Sequence, residues 1–168
     1  MREAAAGATV AGEVVPMSTL VLYDSKFGNT QTLARVIAEE LDARAVDAAE
    51  PLALDGVDLL VVGGPTQMHT VSKRLAERLD GLRPGELAQR DVAAFDTRFR
   101  RNPLLTGSAA KGIAKKLARR GGRLVAAPES FFVADTEGPL EQGEVERATL
   151  WARGLSREGR RPAAPAAP

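Results

Sequence analysis

Cysteine is absent from the 168 residues, which excludes a thiol nucleophile, a disulfide framework and a thiolate-held metal. Histidine occurs once, as His69, too few for a multi-histidine metal centre. No run of about 18 apolar residues is present, so no membrane span is expected. The opening MREAAAGATVAGEVVPM lacks the leucine-rich core of a signal peptide, and a cytoplasmic setting is the expectation. Two nucleotide-binding signatures are also missing. There is no GxxxxGKS or GxxxxGKT, as a P-loop requires, and no GxGxxG behind the first strand-like segment. Aromatic residues make up only 4% of the chain, so any aromatic wall of a site has few rings to draw on.

What is present suits one domain: 44% hydrophobic residues, enough for a core. The formal net charge of +1 hides an uneven distribution, because Arg98 to Arg123 holds nine Lys or Arg and no Asp or Glu. That segment reads either as a solvated helix face or as a surface for an anionic partner. Residues 1–17 are Ala/Gly-rich and expected to form a flexible arm, with Met17 a possible natural start. Residues 156–168 read as a Pro/Ala tail, leaving 18–155 as the folded domain.

Within that domain apolar runs and helix-periodic segments alternate. Strands are expected at 18–24, 43–48, 57–64, 91–97 and 123–133, the last broken by Pro128. Helices are expected at 30–42, 71–82 (with a possible extension through PGELAQR), 107–122 and 141–155. Val145, Leu150 and Trp151 are inward candidates on the last helix, and Tyr23 and Trp151 read as packing residues. This alternation predicts an α/β three-layer sandwich with a parallel sheet. Ligands of such sheets bind at the carboxyl ends of the strands, where the winding reverses. The loops at 24–30, 64–70 and 96–107 therefore matter most.

The first loop, SKFGNT, passes from strand to helix through hydroxyls, a glycine and an amide. A helix start offers unpaired N–H groups and a positive dipole end, and Gly28 permits close backbone approach, so an anion fits. Equally, Asn29 or Thr30 can simply cap the helix, with Gly28 serving the turn.

SKFGNTQTLARVIAEEL resembles the phosphate-binding segment of the flavodoxin family, a Ser/Thr-containing loop with Gly-Asn-Thr opening the first helix. The resemblance covers about 18–155 and implies a five-stranded parallel sheet in the order 2-1-3-4-5, the order for which flavodoxin is the standard example. It further implies an FMN cofactor whose phosphate is held by Ser25, Lys26, Phe27, Gly28, Asn29 and Thr30. GGPTQMHT is similar to the family's second loop and places Pro65, Thr66, Gln67 and Met68 beside the flavin ring. The third loop, AFDTRFRRNPLLTGS, departs from the family's FGxGD run: its glycines are missing, Asp96 arrives early and no Tyr or Trp follows. Asp96, Thr97, Arg98 and Phe99 stand in that place. Phe99 is the one ring there that can stack on a flavin, burial under the loop being the alternative. Arg98, Arg100 and Arg101 around it would raise a flavin's reduction potential or pair with an anionic substrate. His69 reads either as a proton relay or as a polar rim residue.

The implied function is that of an FMN-binding electron-transfer protein, with a redox partner protein or a small-molecule acceptor. Two alternatives stand beside it. One is a flavin-dependent oxidoreductase acting on quinone, NAD(P)H or porphyrinogen. The other is a flavin-less interaction module using the basic face; nucleic acid is not the expected partner.

Overall fold

In the first strand, β1 (Thr19–Tyr23), Leu20 and Leu22 pack into one hydrophobic cluster and Val21 and Tyr23 into another. Period-two alternation with all four side chains buried means the strand is covered on both faces. The computed structural model of the chain describes residues 16–158. Most of the arm expected at 1–17 and of the tail expected at 156–168 lies outside those residues.

After β1 come α1 (Asn29–Glu40), β2 (Arg44–Asp47), β3 (Leu59–Gln67), β4 (Thr70–Val71), α2 (Lys73–Asp80) and β5 (Asp91–Phe99). The short α3 (Pro103–Thr106), α4 (Ala109–Arg119), β6 (Arg123–Leu124), β7 (Glu129–Val133) and α5 (Glu144–Glu158) complete the order. The sheet runs β2-β1-β3-β5-β6, with β7 also on β5. Every pairing is parallel except β3 with β4. β6 pairs with Asp91–Val92 and β7 with Phe95–Phe99, so the two pieces form one interrupted edge strand. The interruption contains Pro128, which has no N–H to give the ladder. Counted that way, the order is the expected 2-1-3-4-5.

α2 and α4 cover one face through Leu75, Leu79, Ile113 and Leu117. α1 and α5 cover the other through Leu33, Ile37, Ala148, Ala152 and Leu155. There Phe95, Phe131 and Trp151 meet edge to face, with centroids 5.9–6.0 Å apart. Trp151 thus packs as expected. Leu150 does not: it is 63% exposed, because the stripe Ala148–Ala152–Leu155 turns it to the outer side of α5. Val145, in the first turn of the same helix, is also exposed. α2 stops at Asp80, and PGELAQR forms turns rather than further helix.

β3 overruns the parallel sheet and folds back. Gln67 pairs with Thr70 across a two-residue turn, Met68-His69, in which both residues have positive φ, 44° and 72°. Hairpin turns of this hand favour Asn-Gly, and neither residue here relieves the strain. The turn is nonetheless held. Gly107 (φ 70°) lies so close that an added Cβ would stand 2.1 Å from the His69 carbonyl oxygen.

α5 is docked by a carboxylate. Glu144 accepts from the Phe132 N–H (2.7 Å) and from Arg147 Nη2 (2.7 Å) and Nε (3.0 Å). Arg147 also reaches Glu129 (3.0 Å) and the Ser130 carbonyl. Burial pushes the Glu144 carboxyl upward. The Arg147 and Phe132 hydrogen bonds, with the charges of Arg147 and Arg100, outweigh it and hold the group below its ordinary value of 4.5.

Two predictions follow from this packing. Met68→Asn with His69→Gly should raise unfolding stability by about 1–2 kcal/mol, since Met68 is 92% exposed and loses no packing. An unchanged or lower denaturant midpoint would count against a strained turn. Because the folded Glu144 carboxyl is depressed, its contribution is complete above its unfolded value and lost as pH falls through the folded one. Glu144→Gln should therefore cost about 1–3 kcal/mol at neutral pH, with the gap to wild type closing in acid. Parallel pH–stability curves for the two proteins would refute that assignment.

Candidate functional site

At the carboxyl end of β1 the chain turns through Ser25-Lys26-Phe27-Gly28 into α1. Gly28 occupies the helix N-cap at φ 93°, and no side chain among the described residues caps the helix. Ser25 Oγ accepts from the Gly28 N–H (3.1 Å), which closes the turn on itself. A Cβ at Gly28 would meet nothing within 4 Å, so the turn stands beside open space. The Asn29 side chain donates to the Glu137 carbonyl (3.2 Å), and Thr30 Oγ1 lies 2.9 Å from Thr97 Oγ1 in a buried pair. Neither caps α1, which leaves its first N–H groups without a side-chain acceptor.

The other two loops are joined by one carboxylate. Asp96, fully buried, accepts through Oδ2 from Thr66 Oγ1 (3.1 Å), Ser108 Oγ (2.8 Å) and the Ala110 N–H (2.8 Å). Thr66 Oγ1 in turn accepts from the Ala109 N–H (2.9 Å). Among the described residues Asp96 Oδ1 has no hydrogen-bond partner, and Arg98 Nε stands 4.0 Å from it.

A cavity of about 700 Å³ opens between these loops. Ser25, Lys26, Phe27, Asn29 and Thr30 line it from the first loop, Pro65, Thr66, Gln67 and Met68 from the second, and Thr97, Arg98 and Phe99 from the third. Of the residues named from sequence, Gly28, Asp96, Arg100 and Arg101 are not in its wall. Gly28 sets the turn, and Asp96 lies beneath, where its hydrogen bonds organise the walls. His69 also lines the cavity. Sequence reasoning missed Thr70, Val71, Lys73, Thr106, Val133 and Thr136. Val133 and Thr136 had an available signal, since the fifth strand also ends at this edge. Lys73 is brought in only by the unforeseen β3–β4 hairpin.

The arginines divide their work. Arg98 donates to Ser130 Oγ (2.9 Å) and to the Phe99 and Arg101 carbonyls (3.3 and 3.0 Å), bracing its own loop. Arg100 pairs with Glu141 (2.9 Å) and stacks 4.1 Å from the Phe132 centroid. Only Arg101 sits over Phe99, at 5.8 Å. Phe99 itself is 36% exposed, half-open to the cavity rather than sealed under its loop.

Among the described residues no carboxylate lines the cavity, whereas Lys26, Lys73 and Arg98 do, with Glu77 3.8 Å from Lys73 and Asp96 4.0 Å from Arg98 behind them. The features together fit a flavin mononucleotide: an uncapped helix start and a lysine at one end, Phe27, Met68 and Phe99 as apolar surface. Asp96→Ala should strand the Thr66 and Ser108 hydroxyls and the Ala110 N–H, costing about 3 kcal/mol or more. Urea unfolding measures this, and a loss below about 1 kcal/mol would show that the carboxylate does not hold the loops.

Neither a protein-family model nor a curated protein matches the sequence. Solved structures do match. Flavodoxin 1 from Bacillus cereus superposes with a TM-score of 0.68 at 17% identity, covering 83% of this chain and 97% of that one. A flavodoxin, WrbA-like protein from Agrobacterium tumefaciens gives 0.68 at 22% identity, over 86% and 98% of the two chains. Rubredoxin oxygen:oxidoreductase from Desulfovibrio gigas gives 0.67 at 20% identity over 84% of this chain; the match spans only 36% of that larger protein. The chain has a flavodoxin-like fold.

Proposed function

We propose that the protein binds FMN at the carboxyl edge of its sheet and serves as an electron carrier. The observation that carries this reading is the uncapped start of α1, opening through Gly28 into a cavity walled by the three loops at the winding reversal. Flavodoxins among the structural neighbours support it.

In this reading the N–H groups at the start of α1 bind the phosphate, with Lys26 adding charge and Asn29 and Ser25 adding polar contacts. Phe27, Met68 and Phe99 exclude water from the ring, and Thr66 and Thr97 offer hydroxyls along the wall. FMN bound there supplies one- and two-electron redox chemistry. The chain's own contribution is electrostatic: Lys26, Lys73 and Arg98 stand in the wall with no carboxylate among the described lining residues, and although Glu77 offsets Lys73 and Asp96 offsets Arg98, the wall favours negative charge in the ring, and so a less strongly reducing flavin than an acidic rim would give. A second reading, a flavin-dependent oxidoreductase, draws on His69 in the cavity wall, a group able to hold or pass a proton.

Titration of apoprotein with FMN, followed by quenching of flavin fluorescence, tests the reading. Saturable binding and a yellow protein are expected, with riboflavin bound at least about tenfold more weakly for want of the phosphate. Gly28→Val, which cannot adopt φ 93° without strain, should weaken FMN by at least about tenfold and bring it level with riboflavin. A protein that stays colourless overturns the proposal. FMN bound unchanged by Gly28→Val moves the phosphate elsewhere. NAD(P)H or quinone turnover by the loaded protein would favour the oxidoreductase over the carrier.

A further inference from the structure

The most exposed large apolar side chains lie together at the carboxyl edge of the sheet. Met68 and Leu104 are each 92% exposed and Leu105 is 70% exposed, with Phe99 half-open beside them. Met68 belongs to the turn of the β3–β4 hairpin and the two leucines to α3, and Gly107 packs against the His69 carbonyl between them. Asn102 fixes the leucine turn: its Oδ1 accepts from the Leu104 N–H (3.0 Å) and its carbonyl from the Leu105 N–H (2.9 Å). An apolar patch on a preformed backbone costs little ordering when it is covered.

Charge around the patch is divided by the sheet. On the side covered by α1 and α5, the chain leaving β7 carries Asp135 and Glu137, both exposed, and Asn29 of α1 donates to the Glu137 carbonyl (3.2 Å). On the side covered by α2 and α4, Lys111 and Lys115 stand exposed in the first two turns of α4. Among the described residues none of these four side chains forms an ion pair. Their neighbours are already engaged. Lys73 lies 3.8 Å from Glu77 and Arg100 2.9 Å from Glu141, while Lys26 and Arg101 sit over the rings of Phe27 and Phe99 (5.2 and 5.8 Å). The unpaired carboxylates and the unpaired lysines thus flank the apolar patch from opposite sides.

A surface with an apolar centre, acids on one flank and bases on the other is complementary to itself under a twofold rotation. We propose that two copies of the chain associate through this patch about such an axis. Met68, Leu104 and Leu105 pack on their counterparts, and Asp135 and Glu137 of each copy face Lys111 and Lys115 of the other. Every contact of an isologous interface occurs twice, so modest charge pairs are doubled and fix the orientation. A partner of a single charge sign suits one flank and is repelled by the other. The patch is small beside a standard interface of about 800 Å² per partner, so a dissociation constant of about 10–100 μM is expected. Thr106 and Met68 also line the cavity, so the second copy roofs its mouth. The association itself does not depend on what the cavity binds.

Sedimentation velocity of the full chain without cofactor, from about 1 to about 300 μM at low salt, tests this. A reversible monomer–dimer equilibrium is expected, weakening about threefold to tenfold as salt rises from about 0.01 to about 0.15 M. Leu104→Ser with Leu105→Ser should weaken it at least about tenfold. Reversing the acids (Asp135→Lys with Glu137→Lys) or the bases (Lys111→Glu with Lys115→Glu) should each cost about tenfold. The variant carrying both reversals keeps the wild-type net charge and restores the complementarity, so it should recover most of the lost affinity. All the substituted positions are exposed, so the folded chain is retained. A chain that stays monomeric at the highest concentration overturns the proposal. So does a dimer indifferent to the leucine change, or one that the combined reversal fails to recover. If the chain is monomeric and deleting residues 1–15 shifts the Leu104 and Leu105 amides in NMR, the patch is covered by the chain's own first segment instead. Since no flavin is needed, failure here is separable from a failed FMN titration.

Discussion

The arrangement of the cavity depends on one buried carboxylate. Asp96 lies within β5, paired with Gly64 of β3 and Ser130 of β7, and it takes hydrogen bonds from the second loop through Thr66 and from the start of α4 through Ser108 and Ala110. Burying a carboxylate is costly unless donors replace its water. Here three donors converge on Oδ2, at a helix N-terminus whose dipole favours negative charge. The third loop has no glycine between Asp96 and Thr106, and this polar clamp aims it. The same clamp ties Thr66 to Ala109, so the second and third loops move together or not at all.

The first loop joins that unit through the buried Thr30–Thr97 hydroxyl pair. Three segments distant in sequence are thereby cross-linked below the cavity floor, while its rim stays open. The contrast separates stability from recognition. Tight hydrogen bonds and the Phe95–Phe131–Trp151 cluster lie beneath. Strained backbone and exposed apolar side chains lie above, at Met68, His69, Leu104 and Leu105. Strain persists in a fold only where neighbours over-determine it, and Gly107 against the His69 carbonyl is such a neighbour.

Much of this was legible in the sequence because it follows from periodicity. Five apolar runs alternating with amphipathic helices fix a parallel, doubly covered sheet, and the Pro128 break was visible as a break. Its consequence, one edge strand in two pieces on opposite ends of β5, needed the register. The position of SKFGNT at a strand's carboxyl end marked the first loop. What could not be read depends on contacts between distant segments. Asp96 looked like a wall residue because nothing in the sequence places Ser108 and Thr66 around it. The hairpin was hidden because Met68-His69 carries none of the chemistry that signals such a turn. Leu150 was misplaced because an apolar residue two positions from Ala148 falls on the outer face. Arg98 and Arg100 looked like free charge, yet each is tied down by a partner far along the chain.

That last point explains how a chain of formal charge +1 can present a cationic cavity. Its acids are spent elsewhere. Asp91 holds Arg123, Asp80 holds Lys116, Glu141 holds Arg100, Glu40 holds Arg153, and Glu129 and Glu144 share Arg147. Asp24 accepts from Ser72 Oγ at 2.5 Å and faces Arg74. Most of these pairs are partly exposed and worth little to stability individually. Collectively they neutralise the flanks; at the mouth Lys73 lies 3.8 Å from Glu77 and Arg98 4.0 Å from the buried Asp96, while the described lining residues include Lys26 and no carboxylate. A low-dielectric cavity wall strengthens the field of those charges on whatever enters. Net charge averages this asymmetry away; the pairing pattern preserves it, and the pairing pattern is what an incoming anion meets.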